Sequence, residues 1–208
     1  MHDASKAIGE FLAATAAKKP TPGGGAATAL VGALAASLGE MVINYSLGKK
    51  GLEAFDAELR SCLAELEQAR DRLLGLMADD QQAYQAMAAA RKQRGSGPDG
   101  EARYQAAVNQ AVHIPQAVAE AGRSILNLCD RLVLFVNPML LSDLAIAADL
   151  AMACVRCSAY NVQANLGEMS DETTRRANHA ATNKLLSESL KLIQNASPRI
   201  WERHRTGV

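Results

Sequence analysis

Two carboxylates draw the eye because of where they fall. Asp80 interrupts an apolar three-four stripe between Met77 and Tyr84, and Asp143 stands beside Ser142 at the start of an Ala-rich, nearly uncharged segment. A carboxylate on a core-facing stripe is desolvated, which raises its pKa unless a cation or donors hold it ionised. Groups tuned in that way are candidates for proton transfer. The plainer readings are a hydrogen bond from Asp80 to a neighbouring helix end and an N-cap at Ser142 or Asp143. A third feature is the turn Pro20-Thr21-Pro22-Gly23-Gly24-Gly25. Glycines let backbone N–H groups come close to a ligand, and a following helix adds unpaired N–H groups and a partial positive charge suited to an anion. The alternative is a tight turn that lets two backbones pack. The pattern is neither GxxxxGK[ST] nor GxGxxG after a strand, which disfavours nucleotide binding.

Polar side chains within apolar helices are the next candidates. Ser37, Glu40 and Asn44 share one side of the helix that follows the glycines. Asn161 and Asn165 lie one turn apart, and Asn can both donate and accept. Asp143 and Asn161 are eighteen residues apart, about 27 Å along a helix axis. From one chain they serve two ends of a long ligand, or two sites in an oligomer.

The elements that must position these groups are helices. With 208 residues, aromatics at 4% and no alternating Val, Ile, Thr or Tyr run, the chain is expected to be all-α, a single-domain bundle of about six helices around two buried Ala-rich ones. The periodicity predicts helices over Asp3–Lys18 (capped by Asp3 or Ser5, with Ile8, Phe11 and Leu12 on one face), Gly25–Leu47, Gly51–Arg94, Glu101–Leu134 and Leu141–Gly167. A last one begins at Ser170 or Asp171 and is interrupted at Pro198, with the tail beyond frayed or packed through Trp201. Gly32, Ala35, Ala36 and Gly39 allow another helix to come close. Pro115 should kink or split its helix, because the bond to the Ala111 carbonyl is lost.

Twenty-two basic and twenty-two acidic residues balance, so no nucleic-acid or acidic-partner surface is expected. The four cysteines, Cys62, Cys129, Cys154 and Cys157, read as free thiols in a reducing cytoplasm. Cys154-x-x-Cys157 lacks the second pair or βαβ context that zinc or redox chemistry needs, so no metal is expected. His113 and His179 read as structural or solvated histidines. The N-terminus is polar and does not read as a signal peptide. The uncharged run Thr21–Gly39 approaches the length of a membrane span, but its glycines, its alanines and the following Glu40 favour a buried helix and no membrane.

Six motifs in order resemble one family. They are the PTPGGG turn with its Ala-rich helix, M-V-x-N-x-S-x-G-K-K at Met41–Lys50 and D-x-x-A-Y at Asp80–Tyr84. The helix carrying Pro115, N-P-x-L-x-S-D at Asn137–Asp143 and N-V-x-x-N at Asn161–Asn165 complete the set. Over nearly its whole length the chain is similar to the folate cyclodeaminase/cyclohydrolase family. It departs at Ala26, where many members have serine, at Gly51-Leu52, and at Met139.

The resemblance implies an all-α homodimer with a folate site near the subunit interface and no cofactor beyond the tetrahydrofolate substrate. It implies a lone methenyltetrahydrofolate cyclohydrolase, or alternatively a formiminotetrahydrofolate cyclodeaminase releasing ammonia. A non-catalytic helical interaction protein is the reading from another class. Asp143 and Asp80 are then the expected acid/base pair. Pro22, Gly23, Gly24 and Gly25 with Lys49 and Lys50 would hold the ligand's carboxylate tail. Asn44, Asn161 and Asn165 would meet the pterin, with Asn137 and Ser142 as further contacts.

Overall fold

The structure, a computed structural model, describes residues 7–206. Among them are six α-helices: α1 (Ile8–Ala16), α2 (Gly24–Asn44), α3 (Asp56–Lys92), α4 (Pro98–Leu132), α5 (Leu141–Leu166) and α6 (Glu172–Thr206). Short 3-10 turns at Glu53–Phe55 and Pro138–Leu140 precede α3 and α5. No strand occurs among the described residues, so the all-α expectation holds. The caps foreseen at Asp3 and Ser5 lie outside them.

Helices α2 and α5 are the centre. The start of α2 lies against Asn161, late in α5, and the chain just after α2 meets Asn137, just before α5, so the two run antiparallel. α3 covers α2, α4 covers α5, and α6 packs on α4 and α5. Their approach is set by small residues. A Cβ on Gly32 would stand 2.8 Å from Cys154 Sγ, and one on Gly39 would stand 2.9 Å from Leu66 Cδ1. Around this contact Ile43, Leu66, Leu73, Ile125 and Leu144 are completely buried, each contributing about 1.5–3 kcal/mol. Both central helices have the length and hydropathy to cross a bilayer; here they are the packed middle of the bundle.

Several expected boundaries are corrected. In α1 only Phe11 is buried, while Ile8 and Leu12 are exposed. Helix α2 stops at Asn44 rather than Leu47, and α3 starts after a 3-10 turn in which Phe55 stacks on Phe135 at 5.4 Å. Neither Ser142 nor Asp143 caps α5. Both lie inside its first turn; Leu140 holds the N-cap position with no side-chain bond, and Asn137 Oδ1 instead caps the preceding 3-10 turn, accepting from Met139 N at 3.2 Å. Asp171 does cap α6, accepting from the N–H groups of Thr173 and Thr174.

Neither proline breaks its helix. At Pro115 the orphaned Ala111 carbonyl accepts from Asn165 Nδ2 at 2.9 Å, so a side chain from α5 replaces the missing backbone donor. Beyond Pro198, Arg199 pairs with Asp130, and Arg203 donates to the carbonyls of Val133 and Val136. These anchors carry α6 on as helix rather than a frayed tail. Trp201 does not tie it down, being 68% exposed.

Candidate active site

The glycine turn delivers the chain to the start of α2, where the first intrahelical bond runs from Ala27 N to Gly23 O. The amides of Gly24, Gly25 and Ala26 therefore lack intrahelical partners. Asp80, reaching across from α3, takes one of them by accepting from Ala26 N–H. Its carboxylate fills the space beside Gly25 so completely that any Cβ there would overlap it. This close approach is the reason glycine is needed at position 25. Burial pushes the Asp80 carboxyl above its ordinary range, and the Ala26 hydrogen bond offsets part of that rise. The expectation of a desolvated carboxylate at this position is met.

Around Asp80 lies a cleft of about 240 Å³ lined by Pro20, Thr21, Gly23, Gly24, Gly25, Ala83, Tyr84, Met87, Ala111, Ile114, Asn161, Ala164 and Asn165. The fold thus brings together Gly23, Gly24, Gly25, Asp80, Asn161 and Asn165. Pro22 is buried in the turn behind them. Tyr84, Met87 and Ile114 also line the cleft, although the three-four stripe that Asp80 interrupts places Tyr84 with the core. The available signal was that Tyr84 lies four residues from Asp80, on the same helix face; it is in fact exposed.

The remaining candidates gather at the opposite end of α2. Lys49 Nζ donates to Asn137 Oδ1 at 2.5 Å, Asn137 N donates to Ser46 Oγ at 2.9 Å, and Ser46 Oγ donates to Val42 O at 2.6 Å. Asn44, Lys50 and Ser142 are exposed there, and Asp143 is half-buried. Helix α2 has 21 residues and spans about 30 Å. One chain alone therefore does not bring the glycines together with Lys49 and Lys50. Within one chain they cannot grip the same carboxylate, nor can Asp80 and Asp143 share one proton path.

The polar stripe on α2 also dissolves. Ser37 donates to its own helix at Ala33 O, Asn44 faces outward, and Glu40 is buried and paired with Arg70 at 2.5 Å. Cys154 is buried and Cys157 exposed, and both are free thiols. Among the described residues no three His, Cys, Asp or Glu side chains cluster as metal ligands. His113 and His179 are exposed.

Comparison with known proteins gives this geometry a setting. The family model for formiminotransferase-cyclodeaminase matches residues 7–184. A methenyltetrahydrofolate cyclohydrolase of Methylorubrum extorquens is 31% identical over 208 residues, covering 98% of each chain. The formimidoyltransferase-cyclodeaminase of Gallus gallus is 30% identical over 89% of this chain, which spans only 35% of that longer protein. A formiminotetrahydrofolate cyclodeaminase from Thermotoga maritima superposes with a TM-score of 0.88 at 31% identity, over 95% of this chain and 97% of that one. The helical order, the glycine-led central helix and these matches together establish that the chain belongs to the formiminotransferase-cyclodeaminase family.

Proposed function

We propose that the chain is a methenyltetrahydrofolate cyclohydrolase, opening 5,10-methenyltetrahydrofolate to 10-formyltetrahydrofolate. The observation that carries this reading is Asp80, desolvated and held against the open end of α2 inside the cleft. The substrate's methenyl carbon sits in a cationic amidinium, for which a carboxylate is the natural counter-charge. Ionised Asp80 takes a proton from water as the water oxygen bonds to that carbon. The tetrahedral carbon then loses its bond to N5, N5 receives a proton, and a carbonyl forms on N10. One proton leaves to solvent, so charge and atoms balance. The amides of Gly24 and Gly25 suit the oxygen on which negative charge develops. No step changes oxidation state, so the reaction calls for no redox cofactor.

Cyclodeaminase chemistry is the second reading, supported by the likeness to the Thermotoga maritima enzyme. There N10 attacks a formimino carbon, ammonia leaves, and the same carboxyl group supplies the proton the leaving nitrogen needs. Purified protein assayed side by side on methenyl- and formiminotetrahydrofolate decides between them. Loss of methenyl absorbance supports the first, its appearance with ammonia supports the second, and neither overturns both.

A homodimer is part of the proposal. Small-molecule sites run to about 300–1,000 Å³, and the cleft of about 240 Å³ falls short for a reduced folate. On α2, Val31, Leu34, Leu38, Met41 and Tyr45 form an outward stripe of three-four spacing, and Ile146, Leu150, Ala153 and Tyr160 do the same on α5; all are exposed or half-exposed. Such a stripe suits a facing helix. A two-fold axis crossing α2 near its middle, perpendicular to its length, would set the Asp80 end of one protomer beside the Lys49–Asp143 end of its partner. That arrangement supplies the missing wall. The free cysteines suit a cytoplasmic setting.

A further inference from the structure

The side-chain amide of Asn165 has one donor end and one acceptor end. Its Nδ2 lies 2.9 Å from the carbonyl oxygen of Ala111 and 3.1 Å from that of Asn161. Both partners can only accept, so the group between them must be the NH2, and the neighbours dictate the orientation of the amide. The Ala111 carbonyl is available only because residue 115 is proline; any other residue would donate its own N–H there. Pro115 is buried, and α4 runs through it unbroken.

With both amide hydrogens engaged, Oδ1 is the polar atom Asn165 has left for the cleft it lines. We propose that Asn165 is an acceptor-only recognition residue, locked in that orientation by the proline-vacated carbonyl of Ala111, and that it selects a ligand group bearing N–H. Resting on the folate reading, that group is an N–H or NH2 of the reduced pterin. Ionised Asp80 accepts too, so this end of the cleft rejects the ligand's carboxylates and turns its glutamate tail outward. Asn165 is the binding residue, and Pro115 is a positioning residue.

The test is a cycle of Pro115→Ala, Asn165→Ala and the double variant, read by melting temperature, Kd for methenyltetrahydrofolate and kcat. Pro115→Ala hands the Ala111 carbonyl a backbone donor and releases the Asn165 amide. The melting temperature should hold or rise, Kd should weaken ~tenfold, as for one lost hydrogen bond, and kcat at saturation should stay within about twofold of the unaltered protein. Asn165→Ala should lower both stability and affinity. Adding Pro115→Ala should restore the melting temperature but not the affinity. Unchanged Kd in Pro115→Ala, or recovered affinity in the double variant, overturns the proposal. If the unaltered protein binds no reduced folate, the folate reading fails and the selectivity falls with it. The rescue of melting temperature still reports the proline–asparagine coupling on its own.

Discussion

The Asp80 carboxylate occupies the space that a side chain on Gly25 would need. The candidate base and the open end of α2 are thereby held as one unit, with Ala26 N–H donating to the same carboxylate. Gly25→Ala should displace Asp80 and cost about 1–3 kcal/mol through overpacking, with kcat/KM falling by about 10²-fold. At neighbouring Gly24 an added Cβ would meet only Asn161 Oδ1, at an ordinary 3.4 Å. Gly24→Ala should therefore melt close to the unaltered protein. Thermal melts and steady-state rates of the two variants check the contrast.

Removing the charge at Asp80 separates chemistry from stability. Asp80→Asn should lower kcat by about 10²–10⁴-fold, the range for a lost general base, and leave the fold intact. Burial raises the folded-state pKa of Asp80 above the ordinary aspartate value of 3.8. Its protonated form therefore favours the native state, a contribution complete below 3.8 and lost as pH rises through the raised value. At neutral pH Asp80→Asn should melt no lower than the unaltered protein, and that advantage should vanish in acid. The rate should climb with pH as Asp80 ionises, and the climb should be absent in the variant.

Glu40 offers a test away from the cleft. It is 8% exposed, one oxygen meets Arg70, and the other, Oε1, is buried without a hydrogen-bond partner. Burial raises its pKa, and the Arg70 charge lowers it in part. Arg70→Ala should destabilise the protein by about 2 kcal/mol at neutral pH by stranding the carboxylate. The deficit should shrink as pH falls, because protonation removes the stranded charge. Denaturant titrations at several pH values read this directly.

The two-ended distribution of candidate residues predicts complementation. If the site joins Asp80 of one protomer to Asp143 of its partner, Asp80→Asn and Asp143→Asn should each be inactive. Re-assorted together, they should regain about a quarter of native activity, since half the dimers are mixed and half their sites intact. No recovery, with mixed dimers demonstrated, would place the chemistry within one chain. Leu34→Glu, in the middle of the outward stripe of α2, should yield monomers of low activity on sizing chromatography.

What the sequence determined by itself was whatever depends on neighbours in the chain. Helix content, the loop before α4, the small-residue face of Gly32 and Gly39, the desolvated position of Asp80 and a last helix starting at Ser170 or Asp171 were all legible. Each follows from side-chain periodicity or from local backbone chemistry. The family motifs were legible too, as residues in order.

Only the tertiary structure decided which of those residues meet. Asp80 joins Gly25 because α3 lies antiparallel along α2, setting Leu66, Leu73 and Asp80 against Gly39, Gly32 and Gly25. Lys49 is carried away from the glycines because the helix between them is a rigid rod of about 30 Å. Pro115 bends no rule of helix chemistry; its orphaned carbonyl is answered by Asn165 from another helix. Helix α5 starts at Leu141, ahead of Ser142 and Asp143, because the 3-10 turn capped by Asn137 runs directly into it. Where Asp80 meets Gly25 and Asn165 meets the Ala111 carbonyl, the deciding contact joins groups set beside one another by packing, and its energy exists only once the bundle has closed.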